Sequence, residues 1–151
     1  PGSPILVTGA NGLIRSHICD QLPSRSYLVC GTVRDTAKAD RMLHFFASCH
    51  PKTPALLFEA PDRVSPGCFD AVVFGCDSII HVTSSMSEIA AEKVIPTVMV
   101  GVLNSLKSAA NEESVKEVFN TSSSVAATLP MPGGEYSIDE GSCGEEAIQK
   151  T

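Results

Sequence analysis

An apolar run, Ile5-Leu6-Val7, passes directly into Thr8-Gly9-Ala10-Asn11-Gly12, after which Leu13, Ile14, Ile18 and Leu22 recur at helical spacing. Strand, glycine turn and helix in that order constrain the chain more than any other feature it carries. Gly9 permits a sharp turn, Gly12 lets the backbone approach an anion, and the unpaired N–H groups of a helix N-terminus favour negative charge. Two glycines three apart can merely shape a turn. The strand before them and the helix after them favour a nucleotide-binding turn instead.

The alternation continues along the chain. Pro23 is expected to end the first helix, and Tyr27–Val33, rich in apolar and β-branched residues, reads as a second strand. Asp35-Thr36 can cap a second helix running to about Ser48, with Met42, Leu43, Phe45 and Phe46 as its apolar stripe. A third strand is expected at Ala55–Phe58, a helical turn or two from Pro66 to Phe74, and a fourth strand at Ser78–Val82. A long helix follows, with Pro96 near its first turn and Val100, Leu103, Leu106 and Ala110 on one face. A fifth strand then runs from about Lys116 to Thr121. Strands alternating with helices predict an α/β fold with a doubly wound parallel sheet. From Ser124 the composition turns to Pro, Gly and acidic residues. The expected organisation is a dinucleotide-binding domain over 1–123 and a loop-rich tail over 124–151.

Composition narrows the function classes. A net charge of -6 with no Lys or Arg run gives no footprint for nucleic acid. The longest apolar stretches fall far short of the roughly 20 residues that span a bilayer, so no membrane is expected. Six scattered cysteines without a CxxC pair read as reduced thiols in a cytoplasmic protein. His44, Cys49 and His50 form the one weak metal-ligand cluster, without an evident fourth ligand. No G-x-S-x-G hydrolase motif occurs. The glycosylation sequon at Asn120 closes an apparently buried strand and is read as chance. Pro1 and the early apolar run at Ile5 suggest a trimmed N-terminus.

TGANGLIRSHICDQL, the strand ending GTVRD, the IIHVTS segment, the GVLNSLKSAA helix and ESVKEVFNTSSSVAA stand in order over residues 4 to 130. Together they resemble the N-terminal half of an extended short-chain dehydrogenase/reductase, of the dihydroflavonol 4-reductase and fungal aldehyde (carbonyl) reductase branch. The resemblance implies a Rossmann-like sheet in the order 3-2-1-4-5. It also implies reduction of an aldehyde or ketone with NADPH, NAD being the less favoured cofactor. Residue by residue it implies that Gly9, Asn11, Gly12, Leu13 and Ile14 meet the dinucleotide at the glycine turn. Arg34 would grip the ribose 2′-phosphate, as a guanidinium can, with Lys38 assisting from one helical turn on. Asp62 would lie near the adenine, His81, Thr83 and Ser84 beside the cofactor's ribose, and Ser123 would hydrogen-bond the substrate carbonyl as a catalytic residue, with Ser122 or Ser124 in its place if the register slips. A lone His on an apolar strand is more often structural, and Asp62 can equally be a plain loop carboxylate.

The pattern also breaks. The family's proton donor is a Tyr, whose free phenol titrates near about 10, assisted by a Lys four residues later. Tyr27 is followed at that distance by Gly31 and Tyr136 by Glu140, so no Tyr-x-x-x-Lys is present. GGEYSIDEGS resembles the loop before the missing catalytic helix, and a fragment or truncated product is expected. Such a chain holds the cofactor half and is inactive alone, or is a non-catalytic dinucleotide-binding or interaction module. A small carbonyl substrate enters only if the fold is completed, and the fifth strand offers an edge for a homo-oligomer. Arg15 replaces a Gly or Ala that packs close to the first strand, and must swing outward or push the helix away at about 1–3 kcal/mol. Its guanidinium could alternatively reach the pyrophosphate. Ser26 stands where the family often closes this helix with a left-handed glycine, and Cys30 where relatives carry Arg.

Overall fold

In a computed structural model, which describes residues 2–60, 62–82, 91–128 and 133–144, five short strands form one sheet. They are β1 (Pro4–Val7), β2 (Leu28–Val33), β3 (Leu56–Glu59), β4 (Ser78–His81) and β5 (Glu117–Asn120), ordered β3-β2-β1-β4-β5. All pairings are parallel, with Leu6 opposite Cys30 on one side and Ile79 on the other. The Rossmann-like order expected from the sequence is therefore present. Between strands lie α1 (Leu13–Ser24), a 3-10 turn (Thr36–Lys38), α2 (Asp40–Cys49), α3 (Asp70–Val73) and α4 (Ala91–Asn111).

Both faces of the sheet are covered, as a buried parallel sheet requires. Successive side chains of β1 point to opposite sides. Ile5 and Val7 join Cys19, Leu22, Met42 and Phe46 in one core cluster, while Leu6 joins Phe69, Val72, Val73 and Ile79 in the other. β1 and β4 flank the point where the strand order reverses, and ligands of such sheets bind beyond the strand ends there.

The chain divides into two compact units, Pro1–Asn120 and Thr121–Thr151. The first carries the sheet. In the second, Ser123 caps the single helical turn α5 (Ser124–Ala127), its hydroxyl accepting from the Val125 N–H at 3.4 Å.

Several expectations need correction. α1 does not stop at Pro23 but runs one residue further, to Ser24, and closes with the Arg25 and Ser26 N–H groups on the Leu22 and Pro23 carbonyls. Asp35 accepts from the Ala37 N–H at 2.9 Å and caps the 3-10 turn, so α2 begins only at Asp40. Leu13 and Ile14 are exposed, leaving Cys19 and Leu22 as the buried residues of α1.

The largest correction concerns α4. Val100, Leu103, Leu106 and Ala110 are exposed, and Gly101, Asn104, Ser105, Ser108 and Ala109 are the buried side. Small and hydroxyl side chains let this helix lie close against its neighbours. Ser108 Oγ lies 2.5 Å from Asp70 Oδ1, and Asn104 Nδ2 donates at 3.1 Å to the carbonyls of both Arg63 and Ser65. The edge strand β5 is likewise mostly exposed, Phe119 being 54% exposed, so Asn120 does not close a buried strand.

Candidate functional site

The turn after β1 is held from both neighbouring strands. Gly9 has φ 67, a left-handed value that suits glycine, and its N–H donates to Thr32 Oγ1 at 2.9 Å. The Ala10 N–H donates to the Thr32 carbonyl at 2.8 Å. Gly12 is extended (φ -82, ψ 161) at the start of α1, and no side chain caps that helix. Its first-turn N–H groups are therefore available to an anion.

On the β4 side, Thr8 Oγ1 accepts from the Val82 N–H at 3.2 Å and lies 3.2 Å from His81 Nδ1. His81 is buried, meets the Phe69 ring edge-on at 6.0 Å, and its Nε2 has no hydrogen-bond partner among the described residues. Burial first, then the Arg63 and Arg15 charges, push its pKa down to about 4. At neutral pH the imidazole is uncharged. His81 is thus a strand-end histidine locked to Thr8, next to a ring that lines the site.

Beside the turn lies a cavity of about 240 Å³. Gly9, Asn11 and Gly12 form one wall, Thr32 and Arg34 come from the end of β2, and Arg63 comes from the loop after β3. Arg15 and Phe69 line it as well. Arg15 does not swing outward. It folds back over the turn, so that a Cβ on Gly12 would stand 2.6 Å from its Cζ and Nη2. That direction is the ordinary one for a helical side chain, which leans toward the N-terminus. Desolvation and Arg34 lower the Arg15 pKa, and desolvation, Arg34 and Arg15 lower that of Arg63. Three guanidiniums therefore share one electropositive recess.

The sequence-expected residues divide as follows. Gly9, Asn11, Gly12 and Arg34 line this cavity. Leu13 instead borders a wider groove of about 670 Å³ shared with Phe45 and Phe46, and Ile14 lines neither. Lys38 lies in the 3-10 turn. Asp62 does not line the cavity. Its exposed carboxylate accepts from the Ser65 hydroxyl and from the Val64 N–H at 2.8 Å, bonds that hold its pKa below the usual range. Thr83 and Ser84 lie outside the described residues. Ser123 belongs to the second unit. His44 and His50 go to separate partners, the Asp40 carbonyl at 2.9 Å and Asp20 Oδ1 at 2.8 Å.

Sequence reasoning missed Arg63 and Asn104. A signal for Arg63 was present: like Arg34, it follows the end of a strand, and ends of parallel strands share one edge of the sheet. No comparable local signal marked Asn104.

The NAD dependent epimerase/dehydratase family model matches residues 5–145. The chain belongs to this family. Among family relatives, aldehyde reductase 2 of Sporidiobolus salmonicolor is 35% identical over 152 residues, covering 99% of this chain and 44% of that protein. Ketoreductase adrE of Penicillium roqueforti is 35% identical over 153 residues, covering 99% of this chain and 45% of that protein. The chain thus spans less than half the length of these curated relatives. The crystal structure of Gre2 from Candida albicans in complex with NADPH superposes with a TM-score of 0.73 at 30% identity, over 83% of this chain and 38% of Gre2. As a member of this family the chain carries the glycine-turn half of the fold, and no described helix is long and apolar enough to cross a membrane.

Proposed function

We propose that these residues are the NADPH-binding half of a reductase that converts an aldehyde or ketone to an alcohol. The observation that carries the reading is the convergence of the Gly9–Gly12 turn and Arg34 on one cavity rich in positive charge. Gly9 and Gly12 would hold the pyrophosphate with the first-turn N–H groups of α1, and Arg34 the 2′-phosphate. A neutral recess would not select a phosphorylated ribose; this one does so by charge. When bound, NADPH supplies the hydrogen and electron pair for the reduction. The chain's own residues bind and orient it, with Thr8 and Thr32 fixing the turn from either side.

Ser123 is the residue we assign to the substrate carbonyl, in a protein completed by a Tyr-x-x-x-Lys helix. A small carbonyl compound would be the substrate of that completed fold, the cytoplasm its location, and residues 1–123 its dinucleotide-binding domain. The exposed β5 edge suits pairing with a second copy. The test is a calorimetric titration of the folded chain with NADPH and with NADH. Saturable binding with NADPH preferred is expected, and failure to bind up to millimolar cofactor would remove the reading.

A second reading is favoured by one observation, the Arg15 guanidinium lying over Gly12 where a pyrophosphate would approach. A module of this kind would keep the scaffold without the chemistry. The two readings diverge on Arg15→Ala.

A further inference from the structure

The glycine-turn logic uses Arg34 alone, yet Arg15 and Arg63 line the same cavity. The three arrive from separate elements: the first turn of α1, the end of β2 and the loop after β3. Arg15 and Arg63 are half-buried. Among the described residues neither Arg34 nor Arg63 has an ion-pair partner, and the nearby Asp62 carboxylate is engaged by its own loop.

Like charges gathered in a partly dry recess repel one another, and they raise the affinity of that recess for an anion. Nor is the arrangement loose. Asn104, itself buried, donates to the Arg63 and Ser65 carbonyls at 3.1 Å and pins the loop that carries Arg63 against α4. The Arg15 guanidinium is seated over Gly12, where any side chain at position 12 would displace it. Glycine at position 12 therefore makes room for the arginine.

We propose that Arg15, Arg34 and Arg63 form a single three-guanidinium subsite for the 2′-phosphorylated adenosine end of a dinucleotide, in which Arg63 determines selectivity for the 2′-phosphate. The inference rests on the cofactor reading above. The cavity, at about 240 Å³, is smaller than pockets that enclose a drug-sized ligand, typically ~300–1,000 Å³. It suits one phosphorylated end and leaves the remainder of the dinucleotide outside. Adenosine 2′,5′-bisphosphate should consequently bind nearly as well as NADPH, since the charge contacts lie on the part the two share.

The experiment titrates the chain and its Arg63→Met and Arg63→Lys variants with NADPH, NADH and adenosine 2′,5′-bisphosphate by calorimetry, with thermal melting as a check on folding. Methionine keeps the aliphatic stem near Gly101 while removing the charge. Arg63→Met should weaken NADPH and the bisphosphate by at least about ten-fold and leave NADH within about three-fold, and Arg63→Lys should recover part of the loss. NADPH bound by the wild-type chain with an NADPH-to-NADH ratio unchanged in folded Arg63→Met would overturn this proposal and leave the cofactor reading intact. Binding of the bisphosphate without NADPH would support the subsite and remove the cofactor reading. Binding of neither would remove both.

Discussion

Thr8 Oγ1 and His81 Nδ1 lie 3.2 Å apart, joining the end of β1 to the end of β4 where the strand order reverses. The contact fixes the imidazole while leaving Nε2 buried without a partner among the described residues. Charging that ring inside the fold is unfavourable.

A pH dependence follows. The folded pKa of about 4 lies below the unfolded value of 6.5, so the unfolded chain takes up the proton first as pH falls. Above pH 6.5 His81 costs nothing; between 6.5 and 4 stability declines, by about 3 kcal/mol in total. Urea midpoints measured at pH 7 and 4.5 should differ accordingly. His81→Gln, which keeps a polar partner for Thr8, should flatten the dependence in that window.

Arg15→Ala separates the two functional readings. If its guanidinium helps hold the anion, NADPH affinity should drop by about ten-fold, equivalent to roughly 1.4 kcal/mol. An increase in affinity would instead identify Arg15 as an obstruction over Gly12. Calorimetry on both proteins at equal salt decides between them.

Ser26 sits at φ 64, the one left-handed residue other than glycine among the described residues. Its N–H bonds to the Pro23 carbonyl at 3.0 Å and the Tyr27 N–H to the Leu22 carbonyl at 3.1 Å, the paired closure of a helix C-terminus. A β-carbon is strained there. Ser26→Gly should stabilise the chain by about 0.5–1 kcal/mol, raising the melting temperature by a few degrees.

Asn104→Ala removes both donors to the loop carrying Arg63 and leaves two carbonyls without their bonds. A loss of about 2 kcal/mol is expected in denaturant unfolding. Weakened NADPH binding by the folded fraction should accompany it, because the loop that aims Arg63 is released.

Phe119 on the β5 edge is 54% exposed beside unpaired backbone groups. Sedimentation of the isolated chain should reveal concentration-dependent association, and Phe119→Lys should reduce it with little change in stability. Association unaltered by the substitution would place the contact elsewhere.

Hydrophobic periodicity made the order of elements legible, because it is a local property of the chain. The Gly9–Gly12 turn and Arg34 were readable for the same reason: each is defined by its position at the end of a strand. The buried face of α4 was not. Its apolar residues at 100, 103 and 106 suggest a core face, but Asn104 and Ser108 find hydrogen-bond partners at residues 63, 65 and 70, and those partners exist only once the helix docks. The meeting of Arg15, Arg34 and Arg63 belongs to the same class, being made by sheet order that sets the ends of β1, β2 and β3 side by side. Local spacing determined which residues stand at strand ends and helix starts. Only the tertiary fold decided which of them share one cavity, because that depends on long-range strand pairing and the dielectric it creates.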